Sequence, residues 1–188
     1  MIAHLKRYRS LYIVTGTLVL LSSVLYRYPP DTIVQWIGVE NSYVAAFLIA
    51  ATGGLSSFTS GVFYASVATL SAGGANPWLL GLIGGLGIAL GDSLIFALFR
   101  FGFKDVHSYW HEYIERLRLW VDAYPRPVVY ATLFLILGIS PTPNDIIMFL
   151  LVALGFRYLK VAPVIVAAGI TITTITALLG QSLTSYIF

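Results

Sequence analysis

A single carboxylate, Asp92, interrupts the apolar run Trp78 to Phe99. An acid inside a membrane-spanning segment costs about 2.5–3.5 kcal/mol on insertion scales, so it faces a cavity or a partner. There it can take up a proton or hold a cation; the structural alternative is a hydrogen bond to a neighbouring helix. Arg100 follows about two helical turns later. A second acid, Asp145, stands with Asn144 directly after Ser140-Pro141-Thr142-Pro143. Asn144 and Asp145 can cap the helix that starts there by accepting backbone N–H groups. Asp145 can equally serve as a proton- or cation-linked carboxylate at a loop tip shaped by Pro141 and Pro143. Glu40, just ahead of another apolar stretch, reads on position alone as a solvated acid.

Other constellations point to less. His107, His111 and Glu115 fall at i, i+4 and i+8, and two histidines so spaced can ligate zinc. No glutamate stands in the metalloprotease order, so a polar stripe facing lipid headgroups is the preferred reading. Hydroxyls between Thr171 and Thr176 either line a polar path or bond within their own helix. The absence of cysteine excludes disulfides, thiolate metal sites and thiol catalysis. With no nucleophile–base pair, metal set or phosphate loop in view, neither an enzyme nor a cofactor is expected.

The elements that must position these residues are membrane elements. The chain of 188 residues is 58% hydrophobic and only 10% charged, against about 25% charged in ordinary soluble domains. Its mean hydropathy is +0.85. The expected fold is an all-α integral membrane protein forming one membrane domain over residues 1–188. A transmembrane helix is predicted at 10–28, stopped by Pro29-Pro30. The stretch 42–75 is broken at Gly53-Gly54-Leu55-Ser56-Ser57 into arms of about a dozen residues. A spanning helix needs roughly 20, so a re-entrant hairpin is expected. Residues 77–100 form a spanning helix in which Gly81, Gly84, Gly85, Gly87 and Gly91 read as packing faces. Across 103–124, Val106, Tyr109, Trp110, Tyr113, Ile114 and Leu117 recur at helical spacing among charges, which predicts an interfacial amphipathic helix. A second re-entrant hairpin follows at 128–156, broken at the prolines, and a last spanning helix at 160–187.

The two hairpin-plus-helix units share one plan, each opening on Phe-Leu-Ile (Phe47-Leu48-Ile49 and Phe134-Leu135-Ile136). Each unit crosses the bilayer once, so the copies run in opposite directions. Broken helices in corresponding positions of such an inverted repeat point to a transport site between them. With the N-terminus cytoplasmic, Lys6, Arg7, Arg9, Arg100, Lys104, Arg116, Arg118, Arg126, Arg157 and Lys160 share the inner side and only Arg27 lies outside. This bias accounts for the net charge of +3 without a nucleic-acid partner.

The stretch Gly91-Asp92-Ser93-Leu94-Ile95-Phe96-Ala97-Leu98-Phe99-Arg100 resembles the DedA/VTT-domain membrane proteins, which carry a Gly-Asp, an aromatic four residues on and an Arg four further. Glu40-Asn41-Ser42 is similar to the Glu-Asn-Gly before their first re-entrant loop. Ser140-Pro141-Thr142-Pro143 with Ala153-Leu154-Gly155 is similar to their proline-containing second loop and its following glycine. The chain departs from the family at both loop tips: Phe58-Thr59-Ser60-Gly61-Val62 stands where Pro-Gly and an acid are usual, and Asn144-Asp145 where an Arg is frequent. The resemblance implies movement of lipids or lipid-linked phosphates between leaflets of the plasma (inner) membrane, in some members proton-linked. It also implies membrane lipids as partners, and a homo-oligomer is compatible with it. Asp92, Arg100, Asp145, Glu40, Asn144, Pro141 and Pro143 are then the pathway candidates. Two other readings stay open: a non-transporting scaffold acting through its amphipathic helix, and an exporter of small ions or drugs.

Overall fold

The computed structural model describes residues 35–53, 57–102, 107–140 and 144–187, with side chains described for 35–53, 60–101, 112–140 and 144–182. The predicted first span at 10–28, and Pro141 and Pro143, lie outside the described residues. The rest is helical: α1 (Val39–Gly53), α2 (Ser57–Ala72), α3 (Pro77–Gly102), α4 (His107–Asp122), α5 (Arg126–Ile139), α6 (Asn144–Ala153) and α7 (Tyr158–Ile187). No strand occurs among the described residues.

Length divides these helices into two kinds. Two segments, Pro77–Phe101 of α3 and Tyr158–Ser182 of α7, are long and apolar enough to cross a membrane. α1, α2, α5 and α6 have 15, 16, 14 and 10 residues. At about 1.5 Å per residue none reaches the ~30 Å of a hydrocarbon core. The arms of the first hairpin are longer than the dozen residues expected. The helix opens at Val39, directly after Gly38 (φ 83°), ahead of the apolar stretch whose start at Ser42 set the prediction.

The second arm of each hairpin ends in the same way. α2 closes on Gly74 (φ 101°) and α6 is followed by Gly155 (φ 75°). Ala75 N donates to Leu70 O and Gly74 N to Ser71 O; Phe156 N donates to Leu151 O and Gly155 N to Val152 O. These paired bonds satisfy the last helical carbonyls and require the left-handed backbone that glycine adopts without strain. Asn76 then opens α3, its Oδ1 accepting from Trp78 N at 2.9 Å and from Leu79 N at 3.4 Å.

α3 and α7 form the centre and run antiparallel. Gly81 faces Thr174, Gly85 faces Gly169 and Ile170, and further along Ser93 reaches Tyr158. At the crossing the backbones touch: a Cβ built on Gly169 would stand 2.8 Å from Gly85 O. Such closeness requires residues as small as glycine on both helices.

The shorter helices distribute themselves around this pair by one rule. α1 runs alongside α3, with the Tyr43 hydroxyl accepting from Asn76 N at 3.0 Å, and α5 runs alongside α7, with Gly138 against Ala168. The second arms cross over: α2 packs on α7 and α6 packs on α3. Burial follows the same correspondence. Leu80 and Val161, Gly84 and Ile165, Asp92 and Thr173, Phe96 and Ala177 are buried at matching places along α3 and α7. Ala46 and Ala50 of α1 match Leu133 and Leu137 of α5. Two apolar cores result, one around Phe63, Val67 and Leu80, the other around Phe96, Met148 and Val161.

α4 stands apart and is amphipathic as expected. Ile114 is buried, whereas Tyr113, Leu119 and Trp120 are exposed. Its charges pair along the helix, Arg116 with Glu112, and Arg118 with Glu115 and Asp122. Exposed pairs of this kind contribute little stability, so α4 is held by its apolar side chains.

Candidate functional site

Asp92 is the centre of the site. It lies midway along α3 with 2% of its surface exposed, so water cannot supply the hydrogen bonds its oxygens need. A residue of the other unit supplies them. Asn144, the first residue of α6, directs Nδ2 at Oδ2 from 3.1 Å and at Oδ1 from 3.3 Å. The pair exists because the chain breaks before Asn144: a continuous helix from α5 through α6 could not bring a helix start against the middle of α3. Asn144 thus directs its amide nitrogen, the donor half of the side chain, at Asp92. Asp145 sits beside it near enough for the two carboxyl groups to interact electrostatically, and Tyr64, from the first hairpin, does the same with Asp92. Asn144 of the second hairpin thus touches Asp92, and Tyr64 of the first lies within its electrostatic reach.

One turn of α3 carries a second polar contact. The Ser93 hydroxyl meets Ala89 O on its own helix and the Tyr158 hydroxyl at the start of α7. Phe96 packs on Tyr158 with ring centroids 5.5 Å apart, and Phe99 meets Phe149 edge-on at 5.5 Å. These rings form an apolar wall between Asp92 and the end of α3 that bears Arg100. Two of the candidate residues stand away from the site. Arg100 is exposed in the last turn of α3, about 12 Å along the axis from Asp92. Glu40 is exposed in the first turn of α1.

Other sequence expectations resolve by geometry. Thr171, Thr173, Thr174 and Thr176 each donate to the carbonyl four residues earlier, at 2.7–2.8 Å, so these hydroxyls are satisfied within α7. The side chains of His107 and His111 lie outside the described residues, and no cluster of three metal-binding side chains occurs among the described ones. Tyr64, Ser93 and Tyr158 did not stand out in the sequence. Ser93 had a signal, its place next to Asp92. Tyr158 follows Gly155-Phe156-Arg157 and reads as an ordinary interface tyrosine until the fold sets it on Ser93. The buried Ser71 Oγ has no hydrogen-bond partner among the described residues.

No family model, curated protein or solved structure matches the chain. The site therefore has to be interpreted from its own chemistry. It holds a buried carboxyl group with one amide donor, a second carboxyl nearby, and hydroxyls on the adjoining turn. Such a group can exchange a proton or a small cation against the pull of the amide.

Proposed function

We propose that the chain is a multi-pass membrane transporter that moves lipids or lipid-linked phosphates between leaflets, with Asp92 as its coupling residue. The observation that carries this reading is Asp92 itself, buried in a spanning helix and held by Asn144 at the start of a hairpin's second arm. A buried acid inside a membrane segment marks a pathway or relay by default. A scaffold working through α4 would have no use for one.

The same reading makes the two units an inverted repeat of re-entrant hairpin plus spanning helix. Support comes from the antiparallel α3 and α7, the crossed packing of the second arms, the identical bonding after α2 and α6, and the matched burial along α3 and α7. The repeat is chemically unequal: Thr173 occupies the place of Asp92, and Phe63, near Thr173, the place of Asn144. One ionisable group in only one of two pseudo-equivalent halves is suited to coupling one proton or cation to each inversion of the pathway. The lipid substrate comes from the DedA/VTT-like motifs Gly91-Asp92 to Arg100 and Ser140 to Pro143, and the cytoplasmic N-terminus from the distribution of Lys and Arg.

The test is leaflet exchange in vesicles of purified protein under a pH gradient, with several phospholipids and undecaprenyl phosphate as probes. Wild type should exchange at least one of them. Asp92→Asn, which keeps an oxygen facing Asn144, should fold and lose the exchange. Failure to move any probe, or full activity in the Asn variant, overturns the proposal.

A further inference from the structure

The basic residues at one end of the bundle converge more closely than a topological charge bias requires. Arg118 of α4, Arg126 of α5, and Arg157 and Lys160 at the start of α7 line one cavity of about 220 Å³. The one acid lining it, Asp122, is already engaged, accepting from Arg126 at 2.7 Å and lying 3.8 Å from Arg118. With Arg118 also paired to Glu115 outside the lining at 3.7 Å, Arg157 and Lys160 still leave the cavity positive. Arg157 and Lys160 are exposed and form no ion pair among the described residues. The Arg126 guanidinium lies 5.5 Å from the centre of the Phe156 ring.

Phe156 and Leu154 are shared with a second cavity of about 360 Å³. This one is an apolar cleft between α5 and α6, lined by Val129, Ile136, Ile147 and Leu150, with Trp120 of α4 and Tyr124 just beyond its end on the side of α4. The cleft exists because the second hairpin is splayed. In the first hairpin α1 and α2 pack along each other, whereas in the second the contact of α5 with α6 is slight.

We infer that the two cavities form a single site for an anionic phospholipid, whose phosphate lies among the four cations and whose acyl chain enters the cleft. Charge complementarity selects the headgroup, and basic pockets beside spanning helices are suited to phosphate-bearing lipids. The adjoining apolar cleft selects a lipid over a free anion, which would leave it empty. Trp120 and Tyr124, packed edge to face at 5.1 Å, are amphipathic rings of the kind that sit at headgroup level. The bound lipid would tie α4 to the second hairpin. The inference rests on the membrane reading above, though not on transport.

The probe is phosphatidylglycerol brominated on its acyl chain, titrated into phosphatidylcholine nanodiscs containing the full chain, with quenching of Trp120 read as the difference from Trp120→Phe. No gradient is applied, so loss of binding and loss of leaflet exchange are read separately. Brominated phosphatidylglycerol should quench Trp120 at mole fractions where brominated phosphatidylcholine does not. R157Q and K160Q should each weaken the effect roughly fivefold. Thr132→Trp, which fills the cleft and leaves every cation in place, should abolish it, while R116Q on the outer face of α4 should leave it unchanged. Equal quenching by both lipids, or an equal loss with R116Q, overturns the site. Displacement by inorganic phosphate together with an unaffected Thr132→Trp variant would make it a free-anion site and overturn the lipid.

Discussion

The crossing of α3 and α7 can be tested by adding single methyl groups. A Cβ on Gly169 would lie 2.8 Å from Gly85 O. One on Gly85 would lie 2.8 Å from Gly169 C and nearer still to the Ile170 backbone. Ordinary carbon contacts begin near 3.5 Å, and every atom met here is backbone, so relief requires the two helices to separate by more than half an ångström. Overpacking of this kind costs about 1–3 kcal/mol. Gly169→Ala should fall in that range and Gly85→Ala at or above its upper end. Gly138→Ala meets Ala168 Cα at 3.3 Å and should cost less. Gly61, in the interior of α2 with nothing within 4 Å of an added Cβ, should respond in the opposite direction. There alanine stabilises by up to about 1 kcal/mol through helix propensity alone. The assay is reversible unfolding of the purified protein in mixed micelles, followed by circular dichroism. A Gly85→Ala or Gly169→Ala variant as stable as wild type would refute the close crossing, and with it the register that sets Ser93 on Tyr158.

A double-mutant cycle of Asp92→Leu and Asn144→Leu in the same unfolding assay should give a coupling of about 0.6–1.7 kcal/mol, the range of side-chain hydrogen bonds within membranes. A value near zero would mean that the amide does not hold the carboxyl group. Asn76→Ala should destabilise by about 1 kcal/mol, because Trp78 N and Leu79 N lose their cap, whereas Asn76→Ser should recover most of it. The lack of native cysteine allows single-site labelling with a membrane-impermeant maleimide. In re-entrant hairpins Ser140→Cys reacts from the same side as Glu112→Cys on α4, and Thr52→Cys from the other. Fully spanning arms reverse both assignments.

Much of the architecture was legible in the chain because it depends on local chemistry. Apolar run length separates the two helices long enough to cross a membrane from the four short ones, glycine and proline mark the breaks, and the spacing Tyr113, Ile114, Leu117 marks α4. The limits were off where the cue was a polar residue: α1 begins at Val39 because Gly38 turns the backbone there, a matter of φ that hydropathy does not register. Asp92 could be singled out as well, since burying a charge in an apolar run is costly wherever the helix ends up. What the sequence alone could not supply was partnership. That Asn144 faces Asp92, that Tyr158 meets Ser93, and that Arg100 and Glu40 stand apart from both depends on how separate helices cross. Those crossings follow from backbone approach at Gly85 and Gly169, a contact between residues far apart in the chain that no local pattern records. The same holds for the splay of α5 and α6, which leaves a cleft beside four cations and depends on how separate helices pack.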